Sequence, residues 1–220
     1  MDHKRITLLS GHYGSGKTNI AVNLAFELKK SCERVAIADI DIVNPYFRTK
    51  DSEKELEQAG IKLICSQYAN SNLDIPALPD EIYSIIDDRS LTAVVDIGGD
   101  DRGALALGRF APGIVEEGDY EMLMVINCYR PLTRTAQAIL EIRREIETAG
   151  GISFTGLVNN SNLGTETTED DVLRSVGFAE EVSEKTGLPI RMTTVEQGLF
   201  KALEGKIEHL FPLRLQDKIN

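Results

Sequence analysis

The sequence predicts a three-layer α/β fold, a mostly parallel β-sheet sandwiched by helices, with residues 1–220 forming one domain. Three observations carry this. Short apolar runs alternate with segments of helical periodicity along the chain, the pattern of parallel strands joined by right-handed helical crossovers. The first apolar run ends in a glycine-rich turn that opens directly into a helical stripe. Polar residues of chemical interest recur just after the predicted strands, where open parallel sheets bind their ligands.

Ile6–Ser10 reads as the first buried strand, and Asn19–Lys30 as a helix with its stripe at Ile20, Ala21, Leu24, Ala25 and Leu28. Val35–Ile40 is a second strand and runs into Asp39–Arg48, a loop with two carboxylates, Pro45 and the aromatics Tyr46 and Phe47. Ser52 and Glu55 fit a capping box for a short helix to Ala59, which Gly60 stops. Ile61–Cys65 is a third strand. Ser66–Pro79 is a polar loop, and Asp80–Asp88 reads as helix. The strand Leu91–Ile97 leads into Gly98, Gly99 and a helix over Ala104–Phe110. Then follow a strand Glu121–Cys128, a helix Thr133–Ala149 and a strand Ile152–Val158. Thr168–Thr186 is helical but interrupted at Gly177. Leu188–Thr193 is a last strand and Glu196–Glu204 a last helix, with less regular chain beyond Gly205.

Composition narrows the function classes. The chain has 42% hydrophobic and 27% charged residues, ordinary for a globular protein with a full core. Its net charge of −11 disfavours a basic nucleic-acid-binding face. No apolar stretch approaches the ~20 residues of a membrane span, and the N-terminus carries no secretory pattern, so the expected location is the cytoplasm. Cys32, Cys65 and Cys128 are scattered without a C-x-x-C pair, which suggests neither a zinc site nor disulfides.

The chemistry centres on residues 11–18, Gly-His-Tyr-Gly-Ser-Gly-Lys-Thr, which fit the phosphate-binding pattern G-x-x-x-x-G-K-[ST] between a strand and a helix. This is the loop of P-loop NTPases. Gly11, Gly14 and Gly16 let the backbone turn so that the N–H groups from Gly11 to Asn19, through His12, Tyr13 and Ser15, face one anion. The helix N-terminus adds its positive end. Lys17 is expected on the β- and γ-phosphates, and the Thr18 hydroxyl on Mg²⁺. Asp96, closing the strand Leu91–Ile97, is expected to hold a Mg²⁺-bound water. Asp39 is expected in the metal shell, with Asp41, two residues on, orienting the attacking water. Gly98 and Gly99 either bring a backbone N–H to the γ-phosphate or form a plain turn. Arg48, Arg102 and Arg130 follow strand ends on the same side. The run Asn159-Asn-Ser-Asn162 sits where a base lies. It lacks the N-K-x-D of guanine-specific loops, and an Asn both donates and accepts, so ATP is expected over GTP. The tail 195–220 has equal numbers of acidic and basic residues, which suits packing on the domain or a partner rather than a lipid surface.

With these loops in view, nearly the whole chain resembles the MinD/ParA type of P-loop ATPases (the deviant phosphate-loop, SIMIBI-class group). The matching stretches are 11–25, 35–41, 94–105 and 156–160. The resemblance implies Asp41 as the catalytic carboxylate, Asp96 as Mg²⁺ support and Asn160 as the adenine reader. It further implies a nucleotide-dependent homodimer and an ATP/ADP cycle that controls a protein partner. His12 stands where that family has its signature Lys, which leaves an ATP-binding module with negligible turnover as an alternative. A small-molecule kinase or ligase is a third reading, with Ser66–Pro79 as the acceptor loop. The iron-protein branch of the group holds a cluster on paired cysteines. Cys128 lies in a predicted strand without such a partner, so no cluster is carried over.

Overall fold

Every strand of the sheet alternates its side chains between two apolar layers, and this decides where the helices sit. The computed structural model describes residues 3–40, 53–65, 80–99 and 101–215, excluding the side chains of Asp101 and Arg102. Asp41, the loop to Arg48, the Ser52 cap and the loop Ser66–Pro79 lie outside the described residues. The strands are β1 (Ile6–Ser10), β2 (Val35–Asp39), β3 (Ile61–Cys65), β4 (Thr92–Asp96), β5 (Tyr120–Ile126), β6 (Gly156–Asn159), β7 (Ile190–Glu196) and β8 (Leu210–Leu213). They form one sheet in the order β3-β2-β4-β1-β5-β6-β7-β8, with every pairing parallel.

The helices are α1 (Lys17–Lys29), α2 (Glu53–Gln58), α3 (Ser84–Asp87), α4 (Asp101–Gly108), α5 (Ala111–Glu117), α6 (Ala136–Gly150), α7 (Glu169–Thr186) and α8 (Gln197–Leu203). Ile20 and Leu24 of α1 and Leu56 of α2 pack on one sheet face with Val35, Ile37, Val94 and Val125. Ile85, Leu107, Ile114, Ile139, Ile146 and Val182, from α3 to α7, cover the other face over Leu8, Ala36, Ala38 and Val95. The expected three layers are therefore present, with an all-parallel sheet.

Four local differences from the sequence reading have physical causes. The segment after Phe110 is a helix, α5, built on buried Ala111 and Ile114 with Pro112 in its first turn and a left-handed Gly118 ending it. Prolines suit that first turn because its N–H has no intrahelical partner anyway. Helix α7 runs straight through Gly177, since its Thr168–Asp171 capping box and buried Val172, Ser175, Ala179 and Val182 hold the helix. Residues Asp80–Tyr83 form a 3-10 turn before α3, so the expected helix there is split. Chain beyond Gly205 adds β8, where Phe211 and Leu213 complete the α1-side core. Pro212 is tolerated there because β8 is an edge strand, with one side free of ladder bonds.

Candidate functional site

The phosphate-loop segment leaves β1, which lies between β4 and β5, and enters α1. The strand order reverses at this point, so the strands on either side carry their connections away and a crevice opens at the strand ends. Gly16 is the N-cap of α1 with φ 94°, a left-handed conformation that a side chain resists. A Cβ there would also fall 2.2 Å from Asn160 Nδ2. Lys17 is 7% exposed, and its Nζ donates to the carbonyls of Gly11 (3.0 Å) and His12 (3.3 Å), so the ammonium lies curled inside its own loop. His12 places Nδ1 2.9 Å from the Tyr13 carbonyl, and Tyr13 projects outward at 64% exposure. Ser15 Oγ and Asn19 Oδ1 are buried and use no partner among the described residues.

Two carboxylates face this loop. Asp39 and Asp96 end β2 and β4, are register neighbours, and are both buried. Thr18 Oγ1 donates to Asp96 Oδ2 at 2.5 Å. The three groups expected to serve Mg²⁺ are thus hard oxygen donors, Asp39 and Asp96 at adjacent strand ends and Thr18 in the first turn of α1. That donor set fits Mg²⁺, which takes carboxylate and hydroxyl oxygens and keeps several waters. When bound there, the ion would neutralise charge on the phosphate oxygens. Gly99 packs against the loop itself. A Cβ on it would lie 2.2 Å from the Gly11 carbonyl oxygen and 2.8 Å from the Tyr13 nitrogen, so the β4–α4 turn and the phosphate loop touch backbone to backbone.

The far end of the site is built on β6 and β7. Asn160 Nδ2 donates to the Ser15 carbonyl at 2.6 Å, and Thr194 Oγ1 donates to Asn160 Oδ1 at 2.6 Å. Asn160, 3% exposed, therefore ties the phosphate loop to the sheet as well as standing beside a cleft. That cleft is lined by Asn160, Asn162, Thr167, Thr194 and Glu196, with Val172, Val195 and Leu213 as apolar walls. Thr194 and Glu196 escaped the sequence reading. A lone Thr or Glu ending a strand has no spacing signal, although the Asn159–Asn162 run did point to this corner. Tyr129 braces the same corner, donating from its hydroxyl to the Asp171 carbonyl at 2.8 Å, and burial pushes its ionisation upward. At the start of α7, the Thr168 hydroxyl bonded to Asp171 holds that carboxyl below the usual carboxylate range.

The remaining sequence candidates divide. Arg130 is exposed in the turn after β5. Arg48, Asp41 and the Arg102 side chain lie outside the described residues. Cys32, Cys65 and Cys128 are free thiols, and among the described residues no group of three or more His, Cys, Asp or Glu gathers that could hold a metal ion by itself.

No family model and no curated protein sequence matches the chain. Solved structures do resemble it. The cell division protein FtsY of Thermotoga maritima matches with a TM-score of 0.57 at 18% identity, over 86% of this chain and 61% of that one. Chloroplast FtsY from Physcomitrella patens gives 0.57 at 17%, over 88% and 59%. The signal recognition particle receptor FtsY from Elizabethkingia anophelis, solved in complex with GDP, gives 0.50 at 16%, over 89% and 58%. The chain thus spans about three fifths of the length of these structures. At such identities the likeness speaks for the fold, and that fold is the three-layer α/β fold of P-loop NTPases. Among the described residues no helix is long and apolar enough to cross a membrane.

Proposed function

We propose that the protein is a Mg²⁺-dependent ATPase of the MinD/ParA type that works as a nucleotide-controlled switch for a protein partner. The observation that carries this is the phosphate loop with Lys17 and Thr18 at the strand-order reversal, facing Asp39 and Asp96. On this reading the loop N–H groups and Lys17 hold the triphosphate, Thr18 and Asp96 hold Mg²⁺ directly and through water, and Asp39 belongs to the metal shell. Asp41 orients the attacking water. The β4–α4 turn, in backbone contact with the loop through Gly99, carries the nucleotide state outward. The partner and a nucleotide-dependent homodimer follow from the family resemblance.

A second reading, an ATP-binding module with negligible turnover, is favoured by His12 at the place of the family's signature Lys. Its imidazole Nδ1 lies 2.9 Å from the neighbouring Tyr13 carbonyl. The two readings part on phosphate release from ATP with Mg²⁺ by the wild type and by Asp41→Ala. Slow release by the wild type, lost in Asp41→Ala while that variant still binds ATP, supports the switch ATPase. Tight binding with no release by either supports the module.

A further inference from the structure

The cleft beside Asn160 has a division of labour among its polar side chains. Most are committed within the chain. Asn162 Nδ2 donates to the Asn160 carbonyl (2.9 Å) and to Asn160 Oδ1 (3.1 Å), and Asn162 Oδ1 accepts from the Gly164 N–H at 3.1 Å. Thr167 Oγ1 donates to the Gly164 carbonyl at 2.6 Å and accepts from the Leu163 N–H at 2.9 Å. Thr194 gives its proton to Asn160. Asn160 has then filled its oxygen and spent one of its two N–H groups on Ser15, which leaves it a single donor. Its oxygen can no longer serve as the acceptor that an adenine amino group needs.

Glu196 is different. It ends β7, lines the cleft and is half-buried. It is the N-cap residue of α8, but its side chain makes no capping hydrogen bond. Among the described residues its carboxylate accepts no hydrogen bond and pairs with no cation. A half-buried carboxylate with no donor among the described residues keeps its acceptor capacity open to be matched by a ligand. A carboxylate is acceptor-only, so the match must be an N–H or O–H donor.

We propose that Glu196 is the residue that reads the base, accepting from an N–H on the Watson–Crick edge of a purine. This rests on the nucleotide reading above. For ATP the donor is the adenine N6 amino group. The remaining Asn160 N–H meets N7, an acceptor that all natural purines share, so Asn160 orients the base without choosing it. Val172, Val195 and Leu213 form the apolar walls of the cleft beside these polar groups. Guanine presents the same donor chemistry through N1–H and N2–H, and the experiment separates the two bases.

The test titrates ATP, GTP, purine-riboside triphosphate (adenine without its amino group) and tripolyphosphate into the wild type, Glu196→Ala and Glu196→Gln, all with Mg²⁺. A hydrogen bond to a charged group is worth enough that Glu196→Ala should weaken ATP by about tenfold or more. Purine-riboside triphosphate and tripolyphosphate should bind both proteins equally, because neither offers the edge donor. Glu196→Gln, which keeps the shape and one acceptor, should lose less than the alanine variant. A GTP preference that vanishes in Glu196→Ala keeps the carboxylate as base reader and overturns ATP as the nucleotide. Unchanged ATP and GTP affinities in Glu196→Ala, or an equal loss for tripolyphosphate, overturn the inference while the phosphate loop stands. Failure of the wild type to bind any of the four overturns the nucleotide reading and this inference with it.

Discussion

Gly99→Ala is the most demanding perturbation of the contact between the β4–α4 turn and the phosphate loop. The new methyl carbon would sit 2.2 Å from the Gly11 oxygen, 2.8 Å from the Tyr13 nitrogen and 2.9 Å from the His12 carbonyl carbon. All three are backbone atoms, so no side chain can rotate away to make room. Reaching ordinary van der Waals separation needs a shift of more than about 1 Å by one loop or the other. Overpacking of this kind costs about 1–3 kcal/mol, which in a chain of this size lowers Tm by about 2–10 °C. The loop N–H groups move with the backbone that carries them. A 1 Å displacement of an array that grips phosphate costs charge-assisted hydrogen bonds, so ATP affinity should fall by about tenfold or more. Thermal melts and calorimetric titration of the same preparations measure both effects. A Gly99→Ala protein with wild-type Tm and wild-type affinity would refute the claim that the two loops are in rigid contact.

Two further expectations concern α7, which borders the cleft. Gly177 is exposed in mid-helix with open space around its would-be Cβ. Gly177→Ala should therefore stabilise the protein by about 1 kcal/mol, seen as a Tm rise of about 2–4 °C; a fall in Tm would mean the helix needs glycine there. Asp171 is bonded by the Thr168 hydroxyl and backbone N–H, which hold its pKa below the unfolded value. A depressed carboxyl stabilises the fold above its unfolded pKa of about 4, and this stabilisation fades as pH falls through the lower folded value. Denaturant titrations of the wild type and Asp171→Asn should show a stability gap that is constant above about pH 5 and closes below about pH 4. A gap that stays constant to low pH would contradict the capping role.

The sequence was most informative where one period or one motif governs a segment. β1, β2, β4 and the inner part of β5 are buried on both faces, so they read as continuous apolar runs, and the loop from Gly11 to Thr18 is fixed by its spacing. It was least informative where tertiary burial overrode local signals. Pro112 and Gly113 look like punctuation, yet α5 forms because Ala111 and Ile114 find a core. Pro212 looks like a strand breaker, yet the sheet edge accepts it. At the site, Lys17, Thr18, Asp39 and Asp96 were readable because their chemistry is tied to strand ends. The Thr194–Asn160–Ser15 chain of bonds was not, because it joins residues far apart in sequence through two side chains that carry no motif. Glu196 was likewise silent, since its distinction is the lack of a partner among the described residues rather than any pattern along the chain.

The central claim is that residues 11–18 hold the triphosphate of a purine nucleotide, and calorimetric titration of Mg²⁺–ATP into the wild type and Lys17→Ala tests it most directly. The wild type should bind one nucleotide per chain. Lys17→Ala removes the buried ammonium that the loop carries and should weaken binding by about tenfold or more while leaving the melting curve close to wild type. Equal affinity in the two proteins, or no binding by the wild type to ATP or GTP, would contradict it.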